Sequence, residues 1–145
     1  MPYVRVWIHL VWTTKNKTPL LRNEIRGNVF RHMRDNAAAK GIFLDCINGV
    51  ADHVHALVSL RADMTIAKTV QLLKGEAAHW INQERVAPHR FEWQEEYYVA
   101  SVSDRAVEIV RRYIKRQEEH HREKSWEEEC RMLFGAGDGN TGSTS

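Results

Sequence analysis

This chain predicts an α+β domain built on one antiparallel sheet, and three observations predict it. Residues 3–14 alternate apolar and polar side chains with the period of a strand. Residues 19–40 and 65–84 repeat apolar side chains with the period of a helix, and Asn48-Gly49 divides two further strand-like runs. A length of 145 residues suits one domain with a sizeable core, and 43% hydrophobic with 28% charged residues is ordinary for a globular protein.

Taken in order, the first strand sets Val4, Val6, Ile8 and Leu10 on one face and Arg5, Trp7 and His9 on the other. Pro19 opens a helix running to about Lys40, with Leu21, Ile25, Val29 and Met33 as its apolar stripe and Gly41 as its stop. A strand at 42–48 and another at 53–60 flank Asn48-Gly49, which has the chemistry of a hairpin turn. Asp63 or Thr65 caps a second helix, whose inner face carries Ile66, Val70, Leu73, Ala77 and Trp80 or Ile81. Pro88 ends it, residues 91–102 return to extended structure, and Ser103 caps a helix through about Arg122. Ser125-Trp126-Glu127-Glu128 has capping-box form and starts a last short helix that Gly135 stops. The order is the ferredoxin-like βαββαβ arrangement, an antiparallel sheet with two helices on one face, followed by C-terminal helices. Residues 1–134 are expected to form the single domain, with 135–145 a disordered Gly/Ser/Thr tail.

Composition excludes several classes. No apolar run reaches the roughly 20 residues of a membrane span, and residues 3–14 do not have the layout of a signal peptide, so a cytoplasmic protein without a membrane partner is expected. Cys46 and Cys130 fit neither a zinc pattern nor a disulfide framework and read as ordinary thiols. The net charge is only +2, but residues 1–40 hold eight Lys/Arg against Glu24 and Asp35, while 91–103 and 125–145 are acidic. One-sided positive charge suits a polyanionic partner, although a solvated helix face explains it equally well.

Two motifs carry chemistry. His53 and His55 stand two apart on a strand, so both imidazoles leave one face about 6–7 Å apart along the chain, half of a metal site. With eight histidines in the chain, one such pair says little by itself. Tyr113 and Gln117 are four apart in the late helix, which places a nucleophilic hydroxyl and a carboxamide on one side of it. The coincidence of both motifs on suitable elements is the signal.

With these motifs, the string FEWQEEYYVASVSDRAVEIVRRYIKRQEEHHREKSWEEE closely resembles the single-tyrosine HUH transposases of the 200/605 class of bacterial insertion sequences, over about residues 3–134. The resemblance implies a ferredoxin-like homodimer that binds hairpin-forming element ends as single-stranded DNA and uses Mg²⁺ or Mn²⁺. It implies that His53, His55 and Gln117 hold the metal and that Tyr113 is the nucleophile. The chain departs from the family where Glu96-Tyr97-Tyr98 replaces a Gly-Tyr-Gly-like turn and where Glu76-Ala77-Ala78 follows Lys74-Gly75 in place of hydroxyl residues.

A tyrosine phenol ordinarily ionises near pH 10, so a cation that withdraws charge from the scissile phosphate and the departing 3′ oxygen supplies what the nucleophile lacks. The products would be a 5′-phosphotyrosine and a free 3′-OH that can rejoin without ATP. Lys115, Arg116, His120 and water are all candidates for the proton acceptor. Arg111, Arg112, Lys115 and Arg116 surround Tyr113, and some of them would face phosphate, with Lys74 and the basic first helix as candidates to extend the track. Asp52 could orient His53, though a solvated turn carboxylate is the better expectation; His120 and His121 read as part of a solvated face. Trp7, Trp12, Trp93 and Tyr97 could stack on bases, but core packing is expected of each, and of Trp80 and Trp126 still more.

Three rivals remain. A ferredoxin-like module that binds single strands without cutting them leaves Tyr113 and Gln117 without a role. A two-histidine phosphoesterase needs paired His-x-Ser/Thr motifs, which the chain lacks. A domesticated relative acting on chromosomal repeat hairpins would have the same site. Dimerisation through an exposed edge strand such as 3–14 is expected, with Tyr113 serving its own subunit or the partner.

Overall fold

The computed structural model describes residues 4–117. Its strands are β1 (Trp7–Thr13), β2 (Phe43–Gly49), β3 (His53–Ser59) and β4 (Tyr98–Val102). Its helices are α1 (Asn23–Ala39), α2 (Ile66–Gln83) and α3 (Val107–Lys115), with single 3₁₀ turns at Lys15–Lys17 and Asp104–Ala106. All neighbouring strands are antiparallel in the order β2-β3-β1-β4, so the expected βαββαβ arrangement is present. The expected last helix, its Trp126, Cys130, His120, His121 and the tail lie outside the described residues.

β1 is an interior strand, which corrects the expectation that it is the edge available for pairing. Consecutive Ile8, His9, Leu10, Val11 and Trp12 are all buried, so both of its faces are covered. The edges of the sheet are β2 and β4.

The side chains of Ile8, Leu10 and Trp12 face α1 and α2 together with Val54, Ala56 and Val58, forming the large core with Val29, Phe30, Met33, Val70, Leu73, Ala77 and Ile81. Trp80, Trp93 and Tyr97 pack against that core, as expected of them. His32 donates to Glu76 at 2.9 Å and stacks on Trp80 with ring centroids 4.0 Å apart, tying α1 to α2. A smaller cluster occupies the opposite face, where Cys46 and Leu57 meet Val107 and Ile114 of α3, with Trp7 and Tyr113 at its margin. Burial pushes the Cys46 thiol up to about 11, which keeps it neutral and unreactive.

Several boundaries differ from the sequence pattern. α1 starts at Asn23 because Pro19–Leu21 is anchored instead, with Leu20 N–H donating to Thr18 and Leu21 N–H to Ala51. Asn48-Gly49 is the end of β2, and the turn is 50–52, closed by Val50 N–H on the His53 carbonyl at 3.0 Å. Gly49 is there for close approach: a Cβ would lie 2.3 Å from the His53 carbonyl oxygen. Thr65, not Asp63, caps α2 by accepting from Lys68 N–H. Gly41, at φ 75°, supplies the left-handed residue that stops α1.

Residues 91–97 are held by point contacts rather than by a ladder. Asn82 grips both backbone groups of Phe91, Trp93 donates to the Lys74 carbonyl, and Trp93 makes a single bridge to Thr14. The Lys74 ammonium donates to the carbonyls of Gln94, Glu95 and Glu96 at 2.7, 3.2 and 3.4 Å. Lys74 is only 9% exposed, and its burial lowers its pKa. Its place is therefore inside the fold as an anchor, which corrects the expectation that it lies on a DNA track.

Two outcomes follow. Gly49→Ala should destabilise the fold by about 1–3 kcal/mol in denaturant unfolding, because the backbone must move to admit the methyl group. Lys74→Met should cost about 1–3 kcal/mol by leaving carbonyls without their donor, and should speed amide exchange in residues 91–97 before it affects β3.

Candidate functional site

Strand parity builds the site. His9, Val11 and Thr13 leave β1 on the α3 side, and the register sets Thr13 opposite His53 and Val11 opposite His55. Cross-strand partners share a face, so His53 and His55 join them there. Both histidines are fully buried, and their rings converge to 5.3 Å between centroids, closer than their separation along the chain.

Each imidazole has a partner at Nδ1. Asp52 Oδ1 lies 2.8 Å from His53 Nδ1, so the carboxylate expected to be solvated instead orients the ring. His55 Nδ1 lies 2.9 Å from Nε2 of His9, a buried residue that the sequence pattern left without a role. The available signal was that His9 shares the β1 face with Val11, the residue opposite His55. If Nδ1 of each imidazole carries the proton, both direct an Nε2 lone pair outward, the arrangement that metal-binding histidines adopt.

α3 brings the second motif to this face. The Tyr113 ring lies 5.7 Å from that of His55 and 6.4 Å from that of His9. The helix is interrupted after Lys115, where Arg116 stands at φ −108°, ψ 31°; Gln117 is helical again, and the rest of the expected span to Arg122 lies outside the described residues. Asn48, the β2 partner of His55, donates its amide to the carbonyls of Ile114 and Lys115 at 3.1 and 3.2 Å. That contact fastens the end of α3 to the strand beside the histidines. Gln117 follows, fully buried, with neither carboxamide atom hydrogen-bonded among the described residues.

Leaving such an amide unsatisfied costs about 1–3 kcal/mol per group, so its burial points to a ligand. Two imidazole nitrogens and an amide oxygen would together make a mixed donor set that suits Mn²⁺ better than Mg²⁺ and leaves positions for water or phosphate oxygens. Among the described residues no three His, Cys, Asp or Glu gather into a metal cluster.

The surrounding cations divide. Arg111 is engaged by Asp45 at 2.7 and 3.1 Å and by Glu108, and these carboxylates raise its pKa further. Its pairing corrects the expectation that it faces phosphate. Arg112, Lys115 and Arg116 are exposed. α1 packs on the other face of the sheet, so its cations do not extend this site. Trp12 is a core residue, and Trp7 meets Phe43 edge to face at 6.0 Å beside α3.

Comparison with known proteins agrees with this architecture. Residues 3–117 match the family model described as "Transposase IS200 like". The ISDra2 transposase TnpA of Deinococcus radiodurans is 27% identical over 115 residues, covering 75% of this chain and 81% of that one. A crystal structure from Deinococcus radiodurans R1, described as a transposase, superposes with a TM-score of 0.63 and 28% identity, over 81% of this chain and 95% of that one. A REP-associated tyrosine transposase, solved with a REP hairpin, shares the fold at a TM-score of 0.55 and 12% identity, over 79% and 66% of the two chains. No helix among the described residues is long and apolar enough to cross a membrane. With the family model spanning the whole sheet, α3 and Gln117, this chain belongs to the IS200-like transposases.

Proposed function

We propose that this protein is a divalent-metal-dependent, single-tyrosine HUH endonuclease and strand transferase acting on single-stranded DNA. Its substrates would be hairpin-bearing ends of a mobile element, acted on through a covalent 5′-phosphotyrosine. The observation that carries this reading is the packing of the Tyr113 ring against His55, with the carboxamide of Gln117, without a hydrogen bond among the described residues, buried on the segment that follows. Family membership supports strand transfer, and the REP hairpin held by a fold relative supports a hairpin as partner.

In this reading His53, His55 and Gln117 hold Mg²⁺ or Mn²⁺. When bound, such a cation supplies charge withdrawal at the scissile phosphate and the departing oxygen. The protein's residues do the rest. Asp52 and His9 fix the orientation of the two imidazoles. Tyr113 Oη forms a bond to phosphorus as the bond to the 3′ oxygen breaks, and attack by a 3′-OH reverses the step with the phosphodiester energy kept. Arg112, Lys115 and Arg116 supply positive potential beside the phenol, where a polyanion must approach. A homodimer would join through β2 or β4, the edges of the sheet.

Mass spectrometry after incubation with hairpin-bearing single-stranded DNA and Mn²⁺ should find the adduct on Tyr113. Tyr113→Phe should give none, and a chelator should abolish it in the parent; an adduct that survives in the variant sinks the proposal. His9→Phe should weaken Mn²⁺ binding by about 10- to 100-fold in calorimetry, by removing the partner that orients His55. His9→Gln, which keeps an acceptor, should recover part of that loss.

A further inference from the structure

No residue of α3 itself accounts for where that helix breaks. Residues 111–117 read RRYIKRQ, without glycine or proline, and most of them favour a helix. The backbone is nonetheless interrupted at Arg116, at φ −108° and ψ 31°, and is helical again at Gln117. Arg116 N–H turns back to the Tyr113 carbonyl at 3.2 Å, three residues away, as in a tighter 3₁₀ turn. A break in a run of good helix formers has its cause in a group that enters the hydrogen-bond ladder from outside.

The group that enters here is the side chain of Asn48. Its Nδ2 donates to the carbonyls of Ile114 and Lys115 at 3.1 and 3.2 Å, and its Oδ1 accepts from Gly49 N–H at 2.9 Å. In an unbroken helix those two carbonyls would accept from N–H groups four residues further on. Both ends of the Asn48 carboxamide are engaged, which fixes its orientation. Asn48 is also the cross-strand partner of His55, so both side chains rise from one face of the sheet, with backbones about 5 Å apart.

The position that results is unfavourable for Gln117 alone. It is fully buried, and neither atom of its carboxamide has a hydrogen bond among the described residues. Unopposed, such a side chain turns toward water to regain its bonds. A 3₁₀ step rotates the chain about 20° further per residue than an α-helical one, so the break decides which way Gln117 faces. The bonds from Asn48 are formed with no cation present, and they hold this end of α3 at the strand beside His55. Donors placed in advance lose less freedom when their ligand arrives.

We propose that Asn48 is a positioning residue for the cation: by breaking α3 before Gln117, it sets that carboxamide to share a metal ion with His53 and His55. Asn48 itself touches no ligand. A plain helix stop contributes stability alone, whereas a positioning residue acts on affinity through Gln117. This inference deepens the function proposed above and rests on it.

The test is a double-mutant cycle on the full chain, read by calorimetric titration of Mn²⁺ without DNA, with melting temperatures recorded beside it. Asn48→Leu keeps the shape of the side chain and removes the donor; it should weaken Mn²⁺ binding by about tenfold. Gln117→Ala should weaken binding at least as much, and in that background Asn48→Leu should change it by under about twofold. Asn48→Gln, whose longer arm keeps the amide donor, should fall between the parent and Asn48→Leu. Asn48→Ala serves the same cycle should the leucine variant fail to fold. Equal losses in the two backgrounds, or no loss on removing the donor, reduce Asn48 to a helix stop and overturn this inference while the function stands. A parent that binds no Mn²⁺, or whose affinity is indifferent to Gln117→Ala, overturns the proposed metal site and this inference with it.

Discussion

The antiparallel register between β1 and β3 is the constraint on which the rest of the molecule depends. It sets Thr13 against His53 and Val11 against His55, and through the diagonal it brings His9 to His55. Side chains alternate with a period of two, so a slip of one residue would turn both histidines into the large core and Val54 and Ala56 toward α3. The apolar set facing α1 and α2 therefore locks the orientation of the polar set facing α3. Stability and site geometry are two consequences of one pairing.

The α3 side shows what that locking allows. Buried imidazoles are costly unless their nitrogens are occupied, and Asp52 and His9 occupy one nitrogen each. The two partners differ: a carboxylate stabilises positive charge on its imidazole, and a neutral ring does so much less. His53 and His55 therefore have unequal surroundings although they are equivalent in the sequence motif. Asn48 adds a third tie by reaching from the edge strand to the last carbonyls of α3. Strand, turn and helix thus meet through short polar contacts around a small apolar cluster.

Much of this was legible in the chain. The alternation in β1, the apolar stripes of α1 and α2 and the order of elements determine the fold class, because each depends on local periodicity. The His53/His55 pair and the Tyr113/Gln117 pair were also legible, because their spacing reflects strand and helix geometry. What escaped depends on register and on contacts distant in sequence. His9 gains its role from a residue 46 positions away, and Lys74 from carbonyls 20 to 22 positions away. A lysine near a presumed DNA site reads as a phosphate contact until the segment it anchors is seen. Asn48-Gly49 misled for a related reason, since the glycine answers a backbone approach across the hairpin and not a turn. Arg111 likewise reads as a free cation until β2 brings Asp45 beneath it.

The unequal apolar clusters on the two sides of the sheet have a consequence for motion. α1 and α2 are bound by a continuous hydrophobic layer, whereas α3 rests on Cys46 and Leu57 through Val107 and Ile114, aided by Asn48 and the pairing of Arg111 with Asp45. Among the described residues, local opening of α3 therefore breaks fewer apolar contacts than opening of α1 or α2. The element that bears the phenol thus sits on the side of the sheet with the smaller apolar buttress.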